Sequence, residues 1–182
     1  MSDLEIPFIR AEVSGIDDPE AGTAIILFVA GCPRSCPECH NPQLQDASAY
    51  VGISVGFIVE CLGGMLDHGA TAVLVEAVVF QGGDWAEYPE AYCEIAEWCR
   101  QKGLRTVLYT GELYENLPET VRRASDWVID GPWDQDVVSV FPPSSNQRVF
   151  HQGRSVEPEQ LPLYRHLLEL RPVESEEKKQ GG

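Results

Sequence analysis

Apolar positions along the chain come in two rhythms. Short continuous apolar runs alternate with stretches in which apolar residues recur every three or four positions. The run from Ala24 to Ala30 is apolar throughout and predicts a buried strand. After it, Ser54 predicts the cap of a helix whose Val55, Ile58, Val59, Leu62, Met65 and Leu66 share one face, with Gly69 placed to end it. A second strand is predicted over Leu74–Phe80, leading into Gly82-Gly83-Asp84, and a helix begins near Pro89, with Tyr92, Ala96 and Cys99 at helical spacing and Gly103 closing it. Thr106–Tyr109 and Trp127–Ile129 predict two further strands, separated by a short helix that Pro118 opens. Gln147–Phe150 predicts a late strand, and Glu157–Leu170 a final helix that Pro172 stops.

Strands alternating with helices predict α/β architecture with a mainly parallel sheet. One domain over residues 1–171 is expected, followed by a charged, glycine-ended tail at 172–182 that is expected to be disordered. No repeat interrupts the pattern. The longest apolar runs, Ala24–Ala30 and Ala77–Phe80, are far too short to span a bilayer, and no basic, apolar leader is visible at the N-terminus. A cytoplasmic protein is therefore expected, with its six cysteines as free thiols or metal ligands rather than disulfides.

Charge narrows the partners. A formal net charge of −16 on 182 residues, with no basic stripe to offset it, argues against nucleic acid, whose phosphates such a surface repels.

The chemistry is concentrated directly after the first predicted strand. Cys32, Cys36 and Cys39 follow Gly31 in a C-x3-C-x2-C spacing, in a loop stiffened by Pro33, Pro37 and Pro42. Three thiolates this close can hold three irons of a cubane cluster and leave the fourth open to an external ligand. A zinc site is the alternative, with His40 beside Cys39 as a fourth ligand, although no second ligand pair is visible. Cys61, Cys93 and Cys99 fall within helical patterns and read as small core hydrophobes.

Two further segments sit where strands end. Gly82 and Gly83 permit a close approach of the main chain to a ligand, and Asp84 beside them supplies an acceptor for an ammonium group; the plainer reading is a turn with Asp84 as a helix cap. Thr110 and Asp130 end later strands and, in a parallel sheet, reach the same edge as the cysteine loop. Asp130 also reads as a turn residue before Gly131-Pro132, and Ser144-Ser145-Asn146 as a polar turn. Trp85 and Trp133 follow these segments and are candidates for the site mouth or for packing.

Taken together, these pieces resemble the radical S-adenosylmethionine (SAM) superfamily, and within it the small activases of glycyl radical enzymes, above all the activating proteins of anaerobic (class III) ribonucleotide reductase. The resemblance runs from Gly22 to Phe150 and rests on Phe28–Cys32, Cys39–Pro42, Phe80–Asp84, Tyr109–Gly111, Asp130–Pro132 and Ser144–Arg148. The chain departs from the pattern at Glu38, where an aromatic residue is usual, at Asp84-Trp85 in place of Glu-Pro, and at Pro142-Pro143 in place of Arg-Gly.

The resemblance implies an incomplete (β/α) barrel with a [4Fe–4S] cluster on Cys32, Cys36 and Cys39. It also implies SAM against Gly82, Gly83, Asp84, Thr110 and Asp130, a flavodoxin-like electron donor, and the glycyl radical subunit of anaerobic ribonucleotide reductase as partner. An activase for another glycyl radical enzyme, a small peptide- or metabolite-modifying enzyme, and a non-catalytic zinc or cluster module remain as alternatives.

Overall fold

The computed structural model of the chain describes residues 2–68 and 74–170. Seven strands form the main sheet: β2 (Phe8–Ser14), β3 (Thr23–Val29), β5 (Val75–Gly82), β6 (Arg105–Tyr109), β7 (Trp127–Asp130), β8 (Arg148–His151) and β9 (Arg154–Val156), in that spatial order. Two short strands, β1 (Glu5–Ile6) and β4 (Ile53–Ser54), pair separately. The helices are α1 (Val55–His68), α2 (Pro89–Gln101), α3 (Glu119–Ala124) and α4 (Pro162–Leu170).

β3, β5, β6 and β7 are parallel, and helices carry the chain back between the last three of them. From β7 to β8 no α-helix intervenes, and the chain returns antiparallel; β2 and β9 are antiparallel to their neighbours as well. Three of the six pairings are thus antiparallel, and the sheet is open, with β2 and β9 as its edges. The α/β architecture expected from the sequence is present, with a four-stranded parallel centre inside a mixed sheet that does not close.

Strand alternation builds two cores. Ile25, Leu27 and Val29 of β3 face α1 and α2, whereas Ala24, Ile26 and Phe28 face the opposite side with Phe141, Leu161 and Leu163. β3 is buried on both faces, as its unbroken apolar run predicts. The Ser54 hydroxyl accepts the Phe57 N–H at 3.3 Å and caps α1. Gly103, at φ +73°, closes the turn after α2.

The final helix is shorter than its pattern predicts. A proline lacks the N–H that a helix needs and clashes with the preceding turn, so Pro162 begins α4 and residues Pro158–Gln160 form one separate 3-10 turn. Gly69, Pro172 and the 172–182 tail lie outside the described residues.

Candidate metal centre

The cysteine loop springs from the end of β3 and is pinched closed at its base. Ala30 N–H donates to the Pro7 carbonyl (2.9 Å), Gly31 N–H to Leu44 (2.7 Å) and Cys32 N–H to Gln45 (3.1 Å). Tyr88 Oη donates to the Ala30 carbonyl at 2.9 Å from the other side. Within the loop, Ser35 and Glu38 adopt left-handed backbone conformations (φ 47° and 50°), which non-glycine residues rarely do and which turn the chain sharply between the cysteines.

Gly82 and Gly83 make this base possible. A Cβ on Gly82 would stand 2.7 Å from the Val29 carbonyl oxygen, and one on Gly83 would stand 2.5 Å from that of Gly31. Gly83 N–H donates to Val29 (2.6 Å) and Asp84 N–H to Gly31 (2.7 Å). The close approach that the sequence predicted toward a ligand is spent here on the protein's own main chain at the foot of the cysteine loop.

Above this base lies a cavity of about 540 Å³ at the C-terminal ends of the parallel strands. Cys32, Cys36 and Cys39 line it together with Gly82, Gly83 and Thr110. All three cysteines are half-buried free thiols. Among the described residues no three His, Cys, Asp or Glu side chains are already drawn together as a metal-holding group, so the thiols share one wall without forming a closed triad. The donor set nonetheless suits an iron–sulfur cluster: three thiols on one short loop, facing a cavity with room for a cluster and a ligand. His40, the candidate fourth zinc ligand, packs against Trp133 in a tilted arrangement with ring centroids 4.1 Å apart. Burial pushes the Cys32 thiol up, an effect that Arg34 opposes through its backbone N–H and its guanidinium.

The remaining cysteines stand apart. Cys99 is fully buried in the α2 core, where burial and then Asp126 push its thiol up to about 12. Cys93 is half-buried against the same core, and Cys61 is exposed on α1, not a core position as its helical pattern suggested.

Asp84 is fully buried and does not line the cavity. Its Oδ1 accepts the Ala86 N–H at 2.9 Å, capping the 3-10 turn Trp85–Glu87. Its Oδ2 accepts from Thr110 Oγ1 (2.9 Å), Gly111 N–H (3.0 Å) and Arg34 Nη1 (2.6 Å). The carboxylate expected to meet a ligand's ammonium group is here saturated by the chain's own donors. Thr110, expected to hydrogen-bond SAM, donates its hydroxyl to Asp84 while still forming part of the cavity wall.

Arg34 is the residue that sequence reasoning missed. Its other guanidinium nitrogen donates to Glu112 at 2.7 Å. Burial works against its charge, but Asp84, Glu112 and Cys32 outweigh that and raise its pKa.

Asp130 is also fully buried, and it too is absent from the cavity lining. It faces Arg148 across the β7–β8 pairing and accepts from Arg148 Nε (3.1 Å) and Nη2 and from the Tyr114 N–H (2.7 Å). Arg148 also forks onto Glu115 at 3.0 and 2.8 Å. The neighbouring residues continue the seam: Gln147 Nε2 donates to the Gly131 carbonyl (3.0 Å), Asn146 Nδ2 to that of Pro132 (2.9 Å), and the Asp134 N–H to Ser144 Oγ (3.3 Å). Asp130–Pro132 and Ser144–Arg148, two separate pieces in the sequence, are therefore each other's partners. Between them they hold the loop that carries Trp133, Phe141 and Pro143 over the cavity. Trp133 lines the mouth and its buried indole N–H has no partner among the described residues, whereas Trp85 is packing, with its N–H on the Leu27 and Gln81 carbonyls at 3.1 Å.

Among the described residues no helix is long and apolar enough to cross a membrane. A protein of Methanocaldococcus jannaschii that carries the provisional name glycyl-radical enzyme activating enzyme is 28% identical over 108 residues, which make up 59% of this chain and 41% of that protein. The chain thus matches about two fifths of the length of this curated relative. The family model of the 4Fe-4S single cluster domain matches residues 20–150, a span that holds the cysteine loop, the glycine base and the Asp130–Arg148 seam. The chain belongs to the family of 4Fe-4S single cluster domains.

Proposed function

We propose that this protein is a radical SAM activase that installs a glycyl radical on anaerobic ribonucleotide reductase. The observation that carries the reading is the shared cavity: three thiols of one loop, the Gly82-Gly83 edge and Thr110 meet at the C-terminal ends of parallel strands, where α/β folds do their chemistry. Cys32, Cys36 and Cys39 would hold a [4Fe–4S] cluster. When bound, that cluster supplies an electron, received from a flavodoxin-like donor, for the reductive cleavage of SAM that generates the hydrogen-abstracting radical.

The chain's own residues bind, orient and shield. Gly82 and Gly83 offer a main-chain edge to the methionine moiety of SAM, and Thr110 shapes the wall beside it. Asp84 and Asp130 act from beneath that wall, fixing the ends of β5, β6 and β7. Trp133 covers the mouth. An open sheet suits a substrate that is a loop of a much larger protein, because no closed barrel wall bars its entry. A thiolate-held cluster also suits a reducing, cytoplasmic setting.

The name of the Methanocaldococcus relative goes no further than a glycyl-radical enzyme. Asp130–Pro132 and Ser144–Arg148 are what favour the reductase within that class. The test is anaerobic mixing of the reconstituted protein with SAM, a reductant and the class III ribonucleotide reductase of the same host. A glycyl radical in the electron paramagnetic resonance spectrum, with 5′-deoxyadenosine and methionine as products, is the expected result. SAM cleavage without a radical on the reductase would leave the chemistry and overturn the partner. One zinc per chain and no iron would favour the non-catalytic module.

A further inference from the structure

Arg34 lies in the cysteine loop, between Cys32 and Cys36, yet its side chain leaves the loop and reaches two other strand ends. One nitrogen of the guanidinium is 2.6 Å from Asp84, at the end of β5, and the other is 2.7 Å from Glu112, just past β6. The side chain is only 16% exposed, so water screens these pairs weakly. Gly111 leaves the space for this crossing, since a Cβ there would stand 2.5 Å from Arg34 Cδ. One side chain thus joins the cysteine loop to two carboxylates on neighbouring elements, and the fork of an arginine spans the two acceptors as a lysine's single point charge does not.

We infer that Arg34 is a positioning residue, which seats the cysteine loop on Asp84 and Glu112 so that Asp84 serves the metal centre through Arg34 rather than by holding a ligand's ammonium group itself. Three observations lead there. Asp84 is fully buried and absent from the cavity lining. Its two oxygens already carry four donors, and the only charged one comes from the loop that bears the thiols. The loop's base is fixed by backbone hydrogen bonds at Gly31 and Cys32, whereas beyond that base Arg34 is its charged attachment to the sheet edge. A loop so tethered presents its thiols from one place, which is what outer-shell partners of metal ligands do.

The inference rests on the cluster reading above, and the experiment separates the two. The full chain and the variants Arg34→Gln, Arg34→Lys and Arg34→Gln with Asp84→Asn are reconstituted anaerobically. Iron per chain, the rate of iron loss to a chelator, the paramagnetic resonance spectrum of the reduced cluster, and SAM affinity are then measured. The double variant leaves no unpaired charge in the interior, so it tests the idea even where Arg34→Gln alone fails to fold.

Iron loss roughly 10-fold faster than in the parent chain is expected for Arg34→Gln and for the double variant alike, with an altered resonance spectrum and partial rescue by Arg34→Lys. Equal losses in the single and double variants are the sign that Asp84 acts through Arg34; a further loss on adding Asp84→Asn would overturn that link. Wild-type iron retention and spectrum in the variants would overturn the inference, and so would unchanged iron with tighter SAM binding, because Arg34 would then merely occupy a ligand's place. Failure of the parent chain to take up iron overturns the cluster reading, and this one with it.

Discussion

Two loops meet at the cavity, touching where His40 packs against Trp133, and they dispose of their polar groups in opposite ways. The cysteine loop is tied down by its main chain and by Arg34, and its three thiols line open space. The loop between β7 and β8 is tied down by side chains: Ser144, Asn146, Gln147 and Arg148 each make a hydrogen bond to the segment from Asp130 to Asp134. The first arrangement keeps its reactive groups free for something that is not protein. The second uses up its polar groups to make a rigid cover. A polar motif at a strand end is thus a site in one case and scaffolding in the other, and what separates them is where the side-chain atoms find partners.

The thiols give the sharpest way to break this contrast. Replacing Cys32, Cys36 or Cys39 with Ala should abolish cluster binding, while Cys61→Ser on the exposed face of α1 and Cys93→Ser on α2 should leave iron per chain unchanged. Iron analysis after anaerobic reconstitution checks both halves, and full iron content in Cys36→Ala would end the assignment.

Next in size is Gly83→Ala. The added Cβ would meet main-chain atoms of Gly31 at 2.5 and 2.8 Å, which cannot rotate away as a flexible side chain would. A loss of about 3 kcal/mol is expected from such overpacking, measured by chemical denaturation of the apo protein, together with poorer iron retention because the cysteine loop stands on this contact.

Arg148→Ala probes the other loop. It leaves Asp130 buried with only backbone donors, since the Tyr114 and Arg148 N–H groups remain. Arg148 is 42% exposed, so water screens part of the pair and the cost should fall between that of a surface and a buried ion pair, roughly 1–3 kcal/mol. Iron content should stay at the parent level. A variant that loses its cluster while keeping its melting temperature would show that this region is part of the metal site after all.

What was legible in the sequence follows the same division. The strands β3 and β5 to β8 and the helices α1 to α3 stood out because their apolar residues repeat with the period of the element and fill the two cores. β2 and β9 did not, being edge strands with several exposed positions and no buried face to impose a pattern, and neither did β1 and β4, which at two residues each are too short to show one. The cysteines were legible because three closely spaced thiols have few other uses. Arg34 was not, since a lone arginine in a loop reads as a solvated charge and its partners are 50 and 78 residues away in sequence. Asp84 and Asp130 were seen as residues that matter, but a carboxylate serves a ligand, a cap or an ion pair equally well. Only the buried surroundings, four donors on one and Arg148 against the other, decide which acceptors are already taken.

The smallest expected effect separates glycines that shape the site from glycines that do not. Gly83 presses on backbone, but Gly64, in the exposed middle of α1, has nothing among the described residues within 4 Å of where a Cβ would be, and its backbone is helical. There a methyl group meets no clash, and it reduces the freedom that the unfolded chain gives up on folding. Gly64→Ala should therefore stabilise the protein by roughly 0.5–1 kcal/mol, raising the denaturation midpoint without changing the slope, with cluster content and SAM binding as in the parent. A destabilised Gly64→Ala would mean that this stretch of α1 packs against something beyond the described residues. A change in iron content would mean that α1, on the far side of the sheet from the cavity, is coupled to the cysteine loop, and the separation between site and scaffold would have to be redrawn.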